Sequence, residues 1–344
     1  MKQYDFLIVG GGPAGSTLAR LIGKKYKVAL LEQESEEGNE KVCGGLIAPD
    51  AQKILGSFGL SLPGEVLVSP QMFYVESKDL QKANKARYQR HYLNVDRKRF
   101  DNWLLSQIPS SVDLYRPGRY INHVEEENHI LVTAELPEGR ITLKASCLIG
   151  ADGGQSRVRR KSVGDFKKLT RYVALQSRVS QTTLPRGYGA FFDSSLSDFY
   201  GWTIPKEEEL LIGIALNKGP IKEKYERFLH KVLGDNFEEI ERKSCTIIRP
   251  RKRQDLRCHK GKRILFLGEA AGFISPSSAE GFSYAFRSAQ LLSEAILHGG
   301  DTIKNYRRKV KRIALQLFLK RQKSRIMYND ILRNFIFRTK WGAI

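Results

Sequence analysis

The glycine-rich segment at residues 10–15 constrains this 344-residue chain more than any other feature. A largely apolar run at residues 4–9 precedes it and predicts a buried parallel strand. The glycines at 10, 12 and 15 match G-x-G-x-x-G, and Pro13 suits the first turn of a helix, where its missing N–H needs no partner. A second apolar run ends at Glu32, 22 positions after Gly10. This order predicts a βαβ unit that binds a dinucleotide, rather than a glycine-rich turn without a ligand.

Each glycine of this loop has its own physical role. Gly10 permits the turn, Gly12 lets a pyrophosphate approach the backbone, and Gly15 lets the helix and strand pack closely. The N-terminus of the helix faces the phosphate charge, and Glu32 can accept hydrogen bonds from a ribose. We therefore expect the cofactor to contact Gly10, Gly12, Pro13, Ala14, Gly15, Glu32 and Gln33.

Two later segments repeat the pattern of a buried strand that runs into a turn. Residues 147–153 form the first and lead into Ser156-Arg157-Val158-Arg159, and residues 264–272 form the second. The order G-x-G-x-x-G…E, GADGxxSxVR and G-[DE]-A-A-G resembles that of FAD-dependent oxidoreductases of the p-hydroxybenzoate hydroxylase fold class. This resemblance extends from residue 4 to about residue 300, whereas a nicotinamide dehydrogenase would need only the first motif.

Finer features resemble the geranylgeranyl reductase branch of that class. They are a Cys-Gly-Gly segment at 41–46, a Y-x-W-x-x-P segment at 200–205 and a P-x-x-G-E-G-like turn at 276–281. The runs at 43–52 and 268–275 resemble a bacterial group, the CbrA-type flavoproteins. Two positions depart from the wider family, because Glu269 replaces its usual Asp and Ala279 replaces its usual Gly.

The resemblance implies the rest of the site. It assigns FAD contacts to Cys43, Gly44, Gly45, Arg97, Asp152, Gly268, Glu269, Ala279, Gly281 and Phe282, and catalytic roles to Cys43, Tyr200 and Trp202. A helix over 281–297 would direct its positive N-terminus at the flavin and stabilise the reduced state. Plainer interpretations remain open: Arg97 as a surface arginine, Cys43 as a small buried hydrophobe, and the Tyr200–Trp202 pair as half-exposed core aromatics.

The motif order predicts an α/β fold: a Rossmann-type FAD-binding domain with an inserted, mainly antiparallel β substrate domain and a C-terminal helical tail. The FAD-binding domain comprises residues 1–68, 96–165 and 258–300. The substrate domain comprises residues 69–95 and 166–257, and the basic tail comprises residues 301–344. Alternating stretches at 172–179 and 210–216 are the strand signals of the substrate domain.

Composition restricts the remaining classes. With 41% hydrophobic residues and scattered glycines, the chain is neither disordered nor collagen-like. Its four cysteines lie far apart and form no CxxC pair, which suggests neither a disulfide scaffold nor a thiolate zinc site and favours a reducing, cytoplasmic setting. The six histidines lack metal-ligand spacing, so we expect no metal. We also expect no signal peptide, because Asp5 and the early glycines interrupt the apolar run, and no membrane-spanning helix.

A net charge of +21 predicts an anionic partner or surface. Residues 301–344 carry thirteen Lys and Arg against two acids, and apolar residues recur there at helical spacing, at Val310, Ile313, Ala314, Leu317 and Phe318. This pattern is typical of a basic amphipathic helix on the inner face of the cytoplasmic membrane, and equally of a helix that packs on its own protein. Nucleic acid is not expected, because no aromatic-basic sheet motif or zinc-finger spacing accompanies the charge.

The resemblance predicts a reductase that acts on C=C bonds of an isoprenoid or polyprenyl-phosphate substrate. Reduced FAD would pass a hydride from N5 to one alkene carbon, while the other carbon receives a proton. One alternative is an aromatic hydroxylase that uses FAD, NADPH and oxygen. A halogenase is more remote, because Tyr200 occupies the place of the first Trp in W-x-W-x-I-P. The third possibility is a flavin-binding protein that recognises lipid carriers without turnover. NAD(P)H is the candidate electron donor, although no motif identifies it.

Overall fold

The computed structural model describes residues 1–38, 42–71, 74–164, 169–180 and 187–339. Three sequence-based predictions fall partly outside these residues: Lys41 of the Cys-Gly-Gly segment, the domain boundary at 165/166, and residues 340–344 of the tail. The described residues form two large β-sheets, a short two-stranded sheet and surrounding helices.

The first sheet contains the glycine loop. Its strands are β1 (Gln3–Val9), β2 (Val28–Leu31), β7 (Asp113–Tyr115), β8 (Arg119–Glu125), β9 (Ile130–Leu136), β10 (Gly139–Gly150), β16 (His259–Lys260) and β17 (Ile264–Phe266). The order is β16-β17-β10-β1-β2-β7, with parallel pairing from β17 to β7, and β9 and β8 extend the sheet antiparallel from β10. Each residue of β2 is buried, as expected for a parallel strand covered on both faces. The predicted parallel sheet is thus confirmed.

The helices before the tail are α1 (Pro13–Ile22), α2 (Pro49–Ser57), α3 (Arg97–Ser106), α4 (Arg157–Val163), α5 (Ile221–Leu233) and α6 (Phe282–Leu297). Helices α1, α4 and α6 lie beside the first sheet and position its loops. Helix α6 matches the predicted helix over 281–297, and Phe286, Ala289 and Leu292 on its inner face are fully buried. Because α1 and α6 pack on each other, the glycine loop and the last FAD-family motif lie close together.

The second sheet is mainly antiparallel, as predicted. Its strands are β4 (Tyr74–Asp79), β5 (Lys85–Gln89), β11 (Arg171–Ser180), β12 (Tyr188–Phe192), β13 (Gly201–Lys206), β14 (Glu209–Leu216) and β15 (Glu238–Ile248). The order is β15-β11-β14-β13-β12-β4-β5, in which β4 and β12 run parallel. Helix α5 covers one side through Tyr225, Phe228 and Leu229, and an aromatic cluster occupies the other side.

A short antiparallel sheet connects the two parts of the fold. It consists of β3 (Leu46–Ile47), directly after the Cys-Gly-Gly segment, and β6 (Leu93–Asn94), directly before α3. A cluster that includes Ile47, Phe100 and Phe282 packs around it. This packing holds the Cys-Gly-Gly loop next to the N-termini of α3 and α6.

The C-terminal segment forms α7 (Thr302–Lys309), α8 (Lys311–Met327) and α9 (Asp330–Thr339). Val310, Ile313 and Leu317, which belong to the apolar stripe found in the sequence, are buried in the core of the first sheet. The expectation that this stripe faces lipid is therefore wrong for these three residues, and the alternative of a helix packed on its own protein describes them. Phe318, by contrast, is 48% exposed.

Across the described ranges, no helix combines the length and apolarity needed to cross a membrane. The same residues contain no group of three His, Cys, Asp or Glu side chains that could hold a metal ion.

Candidate functional site

The glycine loop joins β1, α1 and the turn after β10 without room for side chains. Gly10 has φ +103°, and a Cβ there would lie 2.6 Å from the carbonyl oxygen of Ala151. A Cβ on Gly15 would lie 1.9 Å from the carbonyl oxygen of Gly10. Gly12 is the N-cap of α1, whose first turn has no side-chain cap and no acidic residue. An uncapped helix N-terminus beside a close-packed glycine loop fits an anionic group such as a pyrophosphate.

Glu32 lies at the end of β2 and is only 6% exposed. Its carboxylate accepts hydrogen bonds from the backbone N–H groups of Gly11 at 2.6 Å and Glu34 at 3.0 Å. It lines a small cavity beside the glycine loop that opens to solvent. Arg97 and Asn102 of α3 line the same cavity. Gln33 is exposed, and its side-chain amide donates to Glu34 at 3.3 Å.

Arg97 begins α3 and is buried, so it is not the surface arginine of the plainer interpretation. Its guanidinium donates to Asp101 at 3.0 Å, lies near the Cys43 thiol and is 4.8 Å from the centre of the Phe282 ring. Burial alone would lower the pKa of Arg97, but Asp101 and Cys43 raise it above its ordinary value. Its buried Nε has no hydrogen-bond partner among the described residues. A buried donor without a partner fits an acceptor atom of a bound ligand.

The turn after β10 is ordered by Asp152. Its carboxylate accepts from Ser156 Oγ at 2.5 Å and from the N–H groups of Arg157 and Val158, so it caps α4. The fully buried Arg159 donates to the carbonyl oxygens of Asp255 and Ala270 at 2.8 and 3.3 Å. Arg159 thereby ties the second motif to the third. Its place within GADGxxSxVR is the sequence signal for this role.

The third motif lies against the first. Gly268 has φ +51°, and a Cβ there would lie 3.2 Å from the Cβ of Ala14. The side chain of Glu269 crosses Gly154, where a Cβ would lie 2.5 Å from Oε1. Burial raises the pKa of Glu269 to about 7, and the Ile248 N–H and the Arg97 charge offset this only in part.

The Cys-Gly-Gly loop packs directly on strand β13. A Cβ on Gly44 would lie 2.3 Å from Cδ1 of Ile204. Gly45 has φ +61°, and a Cβ there would lie 2.2 Å from the carbonyl oxygen of Val95. Cys43 is a free, partly buried cysteine among apolar residues. Two segments more than 150 positions apart in sequence therefore meet at one place.

Tyr200 and Trp202 lie in an aromatic cluster on the second sheet, with ring centres 5.9 Å apart. The Tyr200 hydroxyl donates to the carbonyl oxygen of Ser278 at 2.8 Å, which links the cluster to the loop before α6. Trp202 Nε1 donates to Gln176 Oε1 at 3.1 Å. We define the aromatic cluster as Tyr92, Tyr188, Phe192, Phe199, Tyr200, Trp202, Tyr328 and Phe337. Sequence analysis missed the other six, because they share no local spacing.

The loop before α6 differs from expectation in its charge. Ala279 has φ +50°, which an alanine rarely adopts, and Gly281 is the N-cap of α6. Glu280 accepts hydrogen bonds from the N–H and the hydroxyl of Ser283, each at 2.8 Å. The expected positive N-terminus of α6 is thus partly neutralised by a capping carboxylate.

Comparison with known proteins supports a single family. The family model described as an FAD binding domain matches residues 3–177. Protein CbrA from Escherichia coli K12 is 37% identical over 98% of this chain and 97% of its own, and so is Protein CbrA from Shigella sonnei.

Solved structures share the fold. A geranylgeranyl bacteriochlorophyll reductase-like protein from Thermoplasma acidophilum has a TM-score of 0.82 at 20% identity, covering 96% of this chain and 90% of its own. The flavin-dependent brominase Bmp2 has a TM-score of 0.72 at 18% identity, with coverage of 98% and 93%. The p-nitrophenol 4-monooxygenase PnpA from Pseudomonas putida has a TM-score of 0.69 at 16% identity, with coverage of 99% and 98%. The predicted fold class is confirmed. The chain belongs to the FAD binding domain family of FAD-dependent oxidoreductases and, within it, to the family of the CbrA proteins.

Proposed function

We propose that this protein is a reductase that uses FAD to saturate C=C bonds of an isoprenoid or polyprenyl-phosphate substrate. The observation that carries the proposal is the packing of the Cys-Gly-Gly loop on β13, next to Tyr200 and Trp202. In this proposal the Cys43 thiol, the buried Arg97 and the aromatic cluster would line one site. The fold shared with the geranylgeranyl bacteriochlorophyll reductase-like protein supports the same function.

Four groups of the chain would hold FAD. The glycine loop and the α1 N-terminus would take the pyrophosphate, and Glu32 would exchange its Gly11 contact for a ribose hydroxyl. The buried Nε of Arg97 would donate to a phosphate or ribityl oxygen, and Glu269 would accept from the ribityl chain. Bound FAD supplies a hydride to the substrate, and a reduced nicotinamide, NAD(P)H, would supply the electrons.

The remaining residues would handle the substrate. The largely buried aromatic cluster would form the apolar wall for an isoprenoid chain, and the net charge of +21 would attract a phosphate-bearing molecule. One alkene carbon receives the hydride and the other receives the proton of the Cys43 thiol. The nearby Arg97 guanidinium would balance the negative charge left on the Cys43 sulfur until solvent returns the proton.

The test is an anaerobic reoxidation experiment. The FAD-loaded protein is reduced with dithionite and mixed with polyprenyl phosphates of several lengths. Return of the oxidised flavin spectrum without oxygen is the expected result, together with a saturated product by mass spectrometry. Cys43→Ser should slow this step by roughly a hundredfold, the lower range for loss of a general acid. The matched control Cys147→Ser should not, because Cys147 contacts the carbonyl oxygen of Arg263 within the first sheet.

Two other outcomes would replace the proposal. Reoxidation only after air is admitted, with an aromatic substrate consumed, would indicate an aromatic hydroxylase. The p-nitrophenol 4-monooxygenase PnpA shares this fold. In the second outcome, no isoprenoid reoxidises the flavin, and oxygen does so without converting an aromatic substrate. That result would indicate a flavin-binding protein that recognises lipid carriers without turnover.

A further inference from the structure

Helix α8 has two apolar faces on opposite sides. One face packs inward through Ile313, Leu317 and Ser324. Leu315, Leu319 and Ile326 are 59%, 58% and 42% exposed. At 3.6 residues per turn these three lie about half a turn from the packed face. Because one face satisfies the packing of the helix, the second apolar face needs a separate explanation.

Helix α9 repeats this arrangement. Arg333 and Asn334 point inward and are buried. Ile331, Leu332 and Phe335 are 76%, 46% and 60% exposed. Scattered exposed apolar residues are ordinary on a protein surface, but a concentration of large ones on two consecutive helices marks an interaction surface. We define the outer face as Leu315, Phe318, Leu319, Ile326, Ile331, Leu332 and Phe335.

The charges that border the outer face along α8 are of one sign. Lys311, Arg312, Lys323 and Arg325 are exposed and border the α8 stripe on both sides. Helix α8 contains no acidic residue. We propose that the outer face docks on the surface of an anionic lipid bilayer, with its apolar side chains among the acyl chains and its basic side chains at the headgroups. A second copy of the chain is disfavoured there, because the same four cations of each copy would meet.

The inner side of these helices touches the aromatic cluster. Tyr328, the residue after α8, stacks on Phe199 with ring centres 5.4 Å apart. The ring centre of Phe337, in α9, lies 6.3 Å from that of Phe192. If the outer face docks on a bilayer, only the thickness of α8 and α9 would separate the bilayer from the aromatic cluster. This inference does not rest on the proposed reaction, because the docking test uses vesicles that contain no isoprenoid.

The test is co-sedimentation of the full-length protein with vesicles of phosphatidylcholine alone or with phosphatidylglycerol. Binding should require phosphatidylglycerol and weaken as salt is added. The variant Leu315→Gln/Leu319→Gln/Ile326→Gln should bind at least about tenfold more weakly. A matched control, Leu114→Gln/Val124→Gln/Ile240→Gln, removes three exposed apolar side chains elsewhere and should bind as the wild type does.

A second pair of variants separates specific docking from general charge attraction. Replacing Lys311, Arg312, Lys323 and Arg325 with Gln should weaken binding by at least about tenfold. Replacing the exposed Lys24, Lys25, Lys260 and Lys262 removes the same charge and should have a much smaller effect. Equal losses from the two sets, or equal binding by the two apolar variants, would overturn the proposal. A dimer that the outer-face substitutions dissociate, without vesicle binding, would show that a second copy covers the face.

Discussion

Arg333 in the last helix and Asp79 at the end of β4 form an ion pair 2.7 Å long, with side chains only 4% and 1% exposed. Asp79 also accepts hydrogen bonds from the N–H groups of Gln81 and Lys82, and Arg333 also pairs with Asp330 at 2.7 Å. The carboxylate and the guanidinium are both removed from water. The pair therefore anchors α9 to the second sheet, 254 positions away in sequence.

Arg333→Met should lower the free energy of unfolding by about 3–5 kcal/mol, because it leaves the Asp79 carboxylate buried without a cation. Burial raises the pKa of Asp79, but Arg333 and the backbone donors lower it further, to below its ordinary 3.8. The contribution of the pair is therefore present above pH 3.8 and is lost as the pH falls through the folded-state pKa. Urea unfolding at pH 7 and at pH 3 measures both effects.

The exposed pair between Lys2 and Asp113 is the matched control. Lys2→Met also removes one cation from an ion pair, but water screens that pair, so stability should barely change. If Arg333→Met unfolds at the same urea concentration as Lys2→Met, the buried pair does not anchor the helix.

The parts of the fold predicted from sequence are those with local signals. Strands β1, β2 and β17 follow from continuous apolar runs, and the glycine loop follows from the steric needs of one turn. The aromatic cluster and the Arg333–Asp79 pair join distant residues, and no local spacing marks them. Helical periodicity identified an apolar stripe on α8, but periodicity does not reveal which of two apolar faces packs inward. For the same reason the sequence leaves open whether this stripe faces lipid or the protein, and the structure buries its Val310, Ile313 and Leu317 in the core.

Ala279→Gly should stabilise the protein by about 0.5–1 kcal/mol. Relief of the left-handed backbone at φ +50° is worth about 1–2 kcal/mol, and the greater freedom of glycine in the unfolded chain offsets about 0.5–1 kcal/mol. Ala285→Gly, in the regular backbone of α6, should instead cost about 1 kcal/mol. Thermal unfolding measures the stability of both variants relative to the wild type. A loss of stability in Ala279→Gly would contradict the prediction.

Glu269→Gln should remove a pH-dependent loss of stability from the protein without FAD. Burial raises the pKa of Glu269 from 4.5 to about 7, so the folded state keeps a proton that the unfolded state releases. Wild-type stability should fall, relative to the variant, as the pH rises from 4.5 to 7, by up to about 3 kcal/mol. Urea unfolding at pH 4 and pH 8 measures this, and a difference between the proteins that does not change with pH would refute it.

Glu280→Gln should raise the reduction potential of bound FAD. The carboxylate of Glu280 accepts a hydrogen bond from the Ser283 N–H at the N-terminus of α6. We expect the flavin at this helix end, so the negative charge would disfavour its reduced, anionic form. Glutamine keeps an oxygen that can accept from Ser283, so the helix cap remains while the charge is lost. A charge effect of about 0.3–1 kcal/mol corresponds to about 5–20 mV for a two-electron couple.

Glu294→Gln, roughly 20 Å further along the same helix, should leave the potential unchanged. Spectroelectrochemical titration measures both variants, and equal shifts would exclude a field effect at the helix N-terminus.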